Sequence, residues 1–307
     1  MDKEVQLDSD HQTQVNAYFH VQSSFWKDIY TQDNVYAEIH QQRYARVLAW
    51  IEQLDLARDT QALDIGCGAG FLTLALAERG FRVQAIDSVE AMIEQTHQHA
   101  SEAGLAEHIS VGIGTITSLA FADASFDLVL AIGVIPWIGQ GQGPAQLAIQ
   151  EMKRITKPGG YILFTADNRL RFASWFDPLL SPPLLDFKIW LKAQLERVGM
   201  RQRSVENMGS YLHSPRFIDK TLAAFALMKV KSTTLGFGPF TFFHCPLLTK
   251  KAGIAFHRRL QRLAERGVPV LRGTGMQYIV LAQKPAVSSF NPSADTQKAV
   301  SDPILTL

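Results

Sequence analysis

Between Gln61 and Asp87 the spacing of apolar positions changes twice. A short apolar run, Ala62-Leu63-Asp64-Ile65, meets Gly66-x-Gly68-x-Gly70. Helical spacing then holds from Phe71 to Arg79 until Gly80, and a second apolar run, Val83–Ile86, ends in Asp87. The stretch predicts strand, glycine turn, helix, strand and acid. The alternation continues. Ser88 predicts an N-cap for a helix to about Ala103 with Gly104 as its stop, and Ile109–Ile113 and the fully apolar Phe126–Ile132 predict strands. A helix is expected over Ala145–Thr156, and Lys157-Pro158-Gly159-Gly160 turns the chain into a strand at Tyr161–Ala166. Strands that alternate with helices predict an α/β, doubly wound, Rossmann-like and mostly parallel sheet.

The flanks of this core break the rhythm. Residues 1–12 are polar and read as a flexible N-terminus, and 13–55 read as a helical leader of two helices, one rich in aromatics (Val15–Tyr30) and one over Asn34–Leu54. The core occupies 56–168 and 214–284, resuming with a helical pattern at Phe217, Leu222 and Phe225, a strand Lys229–Leu235 and a last strand Tyr278–Gln283. Between its two parts, 169–213 form an insertion with Phe172, Trp175 and Phe176, then an amphipathic helix on Leu184, Phe187, Leu191, Leu195 and Val198 that stops at Gly199. An apolar cap is the expected role. Residues 285–307 are polar and mixed and read as a flexible tail.

Composition narrows the classes of function. Lys plus Arg number 30 against 29 Asp plus Glu, a formal charge of +1 over 307 residues, so nothing in the total points to nucleic acid. The start, MDKEVQLDSD, lacks the basic and apolar regions of a secretory signal, and the longest apolar stretch, Leu128–Ile138, is too short to cross a bilayer. Cys67 and Cys245 lie far apart, without disulfide or metal-ligand spacing, which suits a reducing cytoplasm and no bound metal. One segment qualifies this picture. The aromatic loop Gly236–Leu248 adjoins a helix near Lys251–Arg266 whose polar side carries Lys250, Lys251, His257, Arg258, Arg259, Arg262 and Arg266, so 236–266 are either a solvated outer helix or a peripheral membrane contact.

The glycine stretch has the parts that hold a nucleoside at the carboxyl end of a parallel sheet. Glycines permit a tight turn and a close backbone approach, the following helix aims free N–H groups at the ligand, and Asp87 is placed to accept from both ribose hydroxyls. A dinucleotide site would require G-x-G-x-x-G, and its third glycine is here Phe71. Leu63-Asp64-Ile65-Gly66-Cys67-Gly68-Ala69-Gly70 resembles the first motif of class I S-adenosylmethionine-dependent methyltransferases. Leu119, Phe121, Ser125, Phe126 and Asp127 resemble a second family segment, and Met152 to Gly160 resembles the family's link into the fifth strand.

The resemblance covers Ala62 to Asp167 and implies a seven-stranded, mostly parallel sheet with an antiparallel last strand. It implies S-adenosyl-L-methionine as cofactor, held by Asp64, Gly66, Cys67, Gly68, Gly70, Asp87 and Ser88, with Ile132 and Gly133 against its methionine part. Where many members place an Asp for the adenine amino group this chain has Gly114-Thr115-Ile116, which leaves Thr115 and Ile116 for that role. Asp127 reads as an anchor of the strand start. The leader of such proteins commonly folds over the site, so Tyr18, Phe19, Trp26 and Tyr30, with Trp137, Trp175 and Phe176, are expected to wall an apolar or aromatic small-molecule acceptor.

Methyl transfer is an in-line displacement that depends on positioning, and His20, Asp167, His213, His244 and Tyr18 are the polar side chains read as available to orient or deprotonate an acceptor. The core is most similar to the small-molecule branch with quinone-biosynthesis and natural-product methyltransferases, and the leader's Tyr-Phe, Phe-Trp and Ile-Tyr pairs resemble porphyrin carboxyl methyltransferases. Three alternatives stand beside this reading. They are a non-catalytic Rossmann-like binding module, a nicotinamide oxidoreductase, and a membrane-surface methyltransferase acting on a lipid-tailed acceptor.

Overall fold

In the computed structural model, which describes residues 2–175, 177, 184, 187, 190, 194, 210–243 and 245–286, strand β1 (Gln61–Ile65) lies at the centre of one sheet. Its last four residues are buried, as a strand covered on both faces requires. Around it stand β2 (Arg82–Asp87), β3 (Ile109–Ile113), β4 (Phe126–Ala131), β5 (Thr156–Asp167) and β6 (Met228–Leu235). A two-stranded hairpin, β7 (Thr241–Phe242) and β8 (Cys245–Pro246), precedes β9 (Gln277–Gln283). The seven-stranded order is β3-β2-β1-β4-β5-β9-β6; β1 to β5 pair in parallel and β9 runs antiparallel to both its neighbours. The doubly wound sheet and its antiparallel last strand are as the sequence predicts.

The period of two along the strands sorts side chains into two cores. Leu63, Ile65, Val129 and Ala131 pack with Ile149 and Met152 of α6 (Gly143–Ile155) and with Ile218 and Leu222 of α7 (Pro215–Ala224). On the opposite face, Ala62, Leu128 and Leu130 pack with Leu76 of α4 (Phe71–Glu78) and with Ile39 and Val47 of α3 (Val35–Glu52). Each fully buried leucine contributes roughly 1.5–3 kcal/mol, so the centre of the sheet is the stable floor on which the loops are built. Asp127 anchors β4 as expected: its Oδ2 accepts from the Gln61 amide at 3.0 Å and both its oxygens receive Lys157 Nζ at 2.9 Å.

The leader differs from its reading. Instead of two helices it holds α1 (Asp2–Val21), α2 (Ser23–Asp28) and α3, and α1 begins at Asp2, so the segment read as flexible is helical. Residues 2–21 contain neither Gly nor Pro, and polarity alone does not stop a helix. Asn34 caps α3 by accepting from the Ala37 amide at 2.8 Å. Of the cap insertion, most lies outside the described residues; Leu184, Phe187 and Trp190 are helical and exposed. The tail read as flexible also lies outside them from residue 287.

The last helix, α8 (Lys250–Glu265), packs Leu260 and Ala264 against the fully buried Phe237. His257, grouped with the basic face by its sequence neighbours, turns inward instead. Its Nδ1 lies 3.0 Å from the Phe237 backbone N–H and its Nε2 3.1 Å from Gln42 Oε1, and burial depresses its basicity. Arg258 pairs with Glu38 and Lys250 with Asp33, which ties the helix to the leader. No helix among the described residues is long and apolar enough to cross a membrane.

Candidate functional site

The chain order reverses between β1 and β4, and a parallel sheet opens a crevice at the carboxyl ends of its strands at such a point. A deep cavity lies there. Its floor is the turn after β1, where Gly66, Gly68 and Gly70 have φ of +68°, +56° and +83°, all left-handed. A Cβ on Gly66 would stand 2.4 Å from Val134 Cγ2, whereas one on Gly68 would meet nothing within 4 Å. The first glycine is required by packing. The second keeps the floor clear of any side chain.

The predicted acid is joined to this turn. Asp87 Oδ2 accepts from the Gly68 amide at 3.0 Å and Oδ1 accepts from the Val89 amide at 3.0 Å. Burial raises its pKa, and the backbone donors oppose that shift. The remaining lone pairs suit a vicinal diol. Asp64 sits beneath, with Oδ2 accepting from Thr73 at 2.7 Å; burial pushes its pKa up to about 7. Cys67 is buried, its thiol pKa raised chiefly by desolvation, so the side chain is an inert wall.

The helix after Asp87, α5 (Glu90–Glu102), departs from the sequence reading at its start. Its N-cap is Val89, and no side chain caps it. Ser88 instead lines the cavity and donates to Asn16 Oδ1 of α1 at 2.8 Å, so the predicted cap residue fastens the leader over the cavity. Thr115 and Ile116 line the next stretch of wall, with Ile116 buried, and Ile132 and Gly133 line the wall beyond β4. Every residue read as cofactor-binding except Gly70 borders this one cavity. Gly70 lies behind it, where a Cβ would come within 2.9 Å of Thr96.

Of the expected acceptor walls, Phe19, Trp26, Tyr30 and Trp137 line the cavity. Tyr18 stands one layer back, its ring stacked on Trp137 at 5.5 Å. Trp175 is 59% exposed and packs on Phe172 away from the cavity. Among the polar side chains read as available for chemistry, Asp167 lines the cavity, whereas His20 is an exposed residue of α1. His213 is buried behind the wall, stacked on Phe217 at 5.3 Å, and burial lowers its pKa to about 4. Phe176 and His244 lie outside the described residues.

Six polar or aromatic groups of the wall were not read from the sequence, Gln12 and Tyr44 among them. Tyr36, His40 and Arg43 come from α3 and Gln277 from β9. Their signal was the spacing i, i+4, i+7 beside the apolar stripe of α3, which alone was used to predict that helix. Arg43 is 7% exposed, its Nη1 lies 3.4 Å from Gln277 Oε1, and its Nε has no partner. A Cβ on Gly133 would stand 3.3 Å from Arg43 Nη1. A buried guanidinium with an unsatisfied donor beside a bare glycine is the natural seat of a ligand carboxylate.

These features fit S-adenosylmethionine: a clear glycine floor, an acid for the ribose, an apolar slot at Ile116 and a cation for the carboxylate. The position that would be a third glycine for a pyrophosphate holds Phe71, whose ring packs on Tyr30 at 4.7 Å.

Residues 63–164 match the family model described as methyltransferase domain. The chain is 32% identical over 145 residues to a ubiquinone biosynthesis O-methyltransferase of Paracidovorax citrulli, covering 47% of this chain and 57% of that one. It is 35% identical over 132 residues to a malonyl-[acyl-carrier protein] O-methyltransferase of Erwinia pyrifoliae, covering 43% and 45%. The chain thus spans about half the length of these curated relatives. The magnesium protoporphyrin IX methyltransferase of Synechocystis, solved with bound SAH, superposes over 89% of this chain and 99% of its own with a TM-score of 0.58 at 16% identity, a likeness of fold.

Proposed function

From the premise that residues 63–164 are a methyltransferase domain, we propose that this protein binds S-adenosylmethionine in the cavity above β1 and β4 and transfers its methyl group to a small-molecule acceptor. The observation that carries the reading is the Gly68–Asp87 unit in the same cavity as Arg43, whose Nε has no hydrogen-bond partner. Asp87 would hold the ribose hydroxyls, Thr115 and Ile116 the adenine, the turn at Gly66–Gly68 the chain of the methionine, and Arg43 its carboxylate. When bound, the cofactor supplies a methyl on a cationic sulfur. The chain's contribution is position and dryness. Helix α1 closes the cavity through Asn16, which donates to the Ser88 carbonyl at 3.0 Å, and through His11, whose Nε2 reaches the Trp137 carbonyl at 2.9 Å.

Calorimetric titration with S-adenosylmethionine, S-adenosylhomocysteine and NADH tests this. Binding of the two adenosyl ligands without NADH is expected. Binding of NADH alone would overturn the reading in favour of an oxidoreductase, and adenosyl binding with no turnover on any acceptor would favour a binding module.

A second reading, that the protein works at a membrane surface on an apolar-tailed acceptor, is supported by the β7–β8 hairpin. Phe242, Phe243 and Leu247 are 47%, 54% and 58% exposed beside Lys250 and Lys251. Aromatic tips flanked by lysines suit an anionic bilayer. Sedimentation with phosphatidylserine vesicles but not phosphatidylcholine vesicles is the expected result, and equal recovery in the supernatant with both would exclude it.

A further inference from the structure

The cavity wall holds, side by side, a buried indole N–H without a partner and a histidine ring whose second nitrogen is left to accept. His40 is 2% exposed, and its Nδ1 lies 2.9 Å from the Tyr36 carbonyl one turn back on α3. A carbonyl only accepts, so Nδ1 carries the ring proton and Nε2 is a bare acceptor. No hydrogen bond reaches that Nε2 among the described residues. Beside it, Trp26 lines the same cavity, and its Nε1–H, which can only donate, is buried without a partner. The ring centroids of Trp26 and His40 lie 5.7 Å apart, so the two rings are in direct aromatic contact. A buried donor left unpaired calls for an explanation, and at a cavity wall a ligand that accepts from it supplies one.

We propose that Trp26 and His40 form a hydroxyl-binding pair, that the acceptor is a phenol-like hydroxyl on a planar ring, and that His40 Nε2 takes its proton during methyl transfer. The inference rests on the methyltransferase reading and names the acceptor chemistry of that same site.

A hydroxyl oxygen is the group that meets all the demands at once. It donates its hydrogen to His40 Nε2, accepts from Trp26 Nε1–H with one lone pair and keeps the second for attack. An amine has one lone pair, which either meets Trp26 or attacks. A carboxylate has no hydrogen for Nε2 and would set two acceptors against each other. The planar ring follows from the neighbours: Phe19 lies 5.6 Å from Trp26, Trp137 lies 5.1 Å from Phe19, and Tyr36 lies 4.4 Å from His40.

The step balances without a further reactant. The acceptor oxygen forms a bond to the methyl carbon, the carbon–sulfur bond breaks with its electron pair left on sulfur, and the O–H bond breaks with its proton passing to Nε2. The products are a methyl ether, a thioether and an imidazolium that returns the proton to solvent. Burial and the neighbouring Arg43 charge lower the pKa of His40 to about 3, so the ring is neutral and ready to accept at physiological pH. A weak base suffices here, because an oxygen that is gaining a methyl group becomes far more acidic than the starting hydroxyl.

The test uses the full chain saturated with S-adenosylhomocysteine, with binding of that ligand confirmed by calorimetry in the same samples. The side-chain nitrogens of 15N-histidine-labelled protein are followed by NMR during titration with 2-naphthol and 2-methoxynaphthalene, and the His40 signals are assigned from His40→Gln. Addition of 2-naphthol is expected to shift His40 Nε2, and 2-methoxynaphthalene, which has no hydrogen to donate, is expected to leave it in place. Trp26→Phe removes only the N–H and should weaken 2-naphthol binding about tenfold while leaving thermal stability unchanged. With 2-naphthol as acceptor, His40→Gln keeps an acceptor oxygen but takes no proton, so kcat should fall about a hundredfold with KM within a few-fold. If S-adenosylhomocysteine binds and 2-naphthol neither binds nor moves Nε2, or if His40→Gln turns over like the wild type, this inference fails and the methyltransferase reading stands. If S-adenosylhomocysteine itself does not bind, the reading beneath it fails as well.

Discussion

Asp87 and Gly68, nineteen residues apart, are joined by a 3.0 Å hydrogen bond from the Gly68 amide to Asp87 Oδ2. The acid at the end of β2 therefore fixes the turn after β1 as well as lining the cavity. Removing the carboxylate would loosen the turn and, on the proposed reading, remove charged hydrogen bonds to the ribose as well. Asp87→Ala should weaken S-adenosylmethionine binding by about 1.5–3 kcal/mol, read by calorimetry. Unchanged affinity would remove Asp87 from the site.

The two glycines that precede it should respond differently. Alanine at Gly66 brings a methyl within 2.4 Å of Val134 Cγ2 and adds left-handed strain of about 1–2 kcal/mol, so Gly66→Ala should lower Tm measurably. Alanine at Gly68 carries the strain alone, since its Cβ enters open space on the cavity floor. Gly68→Ala should fold with a smaller loss of stability, and the bulkier Gly68→Val should fold and fail to bind the cofactor. Circular dichroism melts with parallel titrations check the contrast, and equal effects on folding would refute the assignment of separate roles.

Arg43 is expected to hold the cofactor's carboxylate. Arg43→Met keeps the apolar stem and removes the charge, and should weaken S-adenosylmethionine binding tenfold to a hundredfold, about 1.5–3 kcal/mol for hydrogen bonds to a charged group. Decarboxylated S-adenosylmethionine offers no partner for that charge. Its affinity should therefore be the same for wild type and variant, and an equal loss for both ligands would place Arg43 in a structural role.

The placing of the glycine turn and Asp87 around one cavity was legible because these parts are local in sequence. Glycine spacing, strand and acid lie within Gln61–Asp87, and each follows from backbone geometry that only certain residues permit. The opposite wall of the cavity is assembled from α1, α2, α3 and β9, and Arg43 meets Gln277 across 234 residues. Short-range periodicity identified α3 through Val35, Ile39 and Val47 but not what its Tyr36–His40–Arg43 edge would face. Ser88 misled for a related reason. Its position before a helix predicts a cap, yet its hydroxyl is taken by Asn16 of the leader, an interaction decided by tertiary packing.

Asp64 makes stability and binding depend on pH in a defined direction. Burial is the main cause that raises its pKa from near 4 to about 7, with Asp87 adding to the shift and the Thr73 hydroxyl opposing it. A carboxyl whose folded pKa lies above its unfolded value holds its proton more tightly in the fold. Its contribution to stability is full below about pH 4 and is lost as pH rises through about 7. Asp64→Asn keeps an acceptor for Thr73 without the charge, so it should match the wild type near pH 4 and exceed it in urea midpoint above pH 7. A constant difference across that range would contradict the burial argument. The same acid faces the cavity into which a cationic ligand is proposed to bind, and a nearby positive charge favours the carboxylate. Binding of S-adenosylmethionine at pH 6.5 should therefore release a proton, seen as a binding enthalpy that changes with the ionisation enthalpy of the buffer. Asp64→Asn should abolish that dependence while binding persists, and a buffer dependence that survives in the variant would assign the proton to another group.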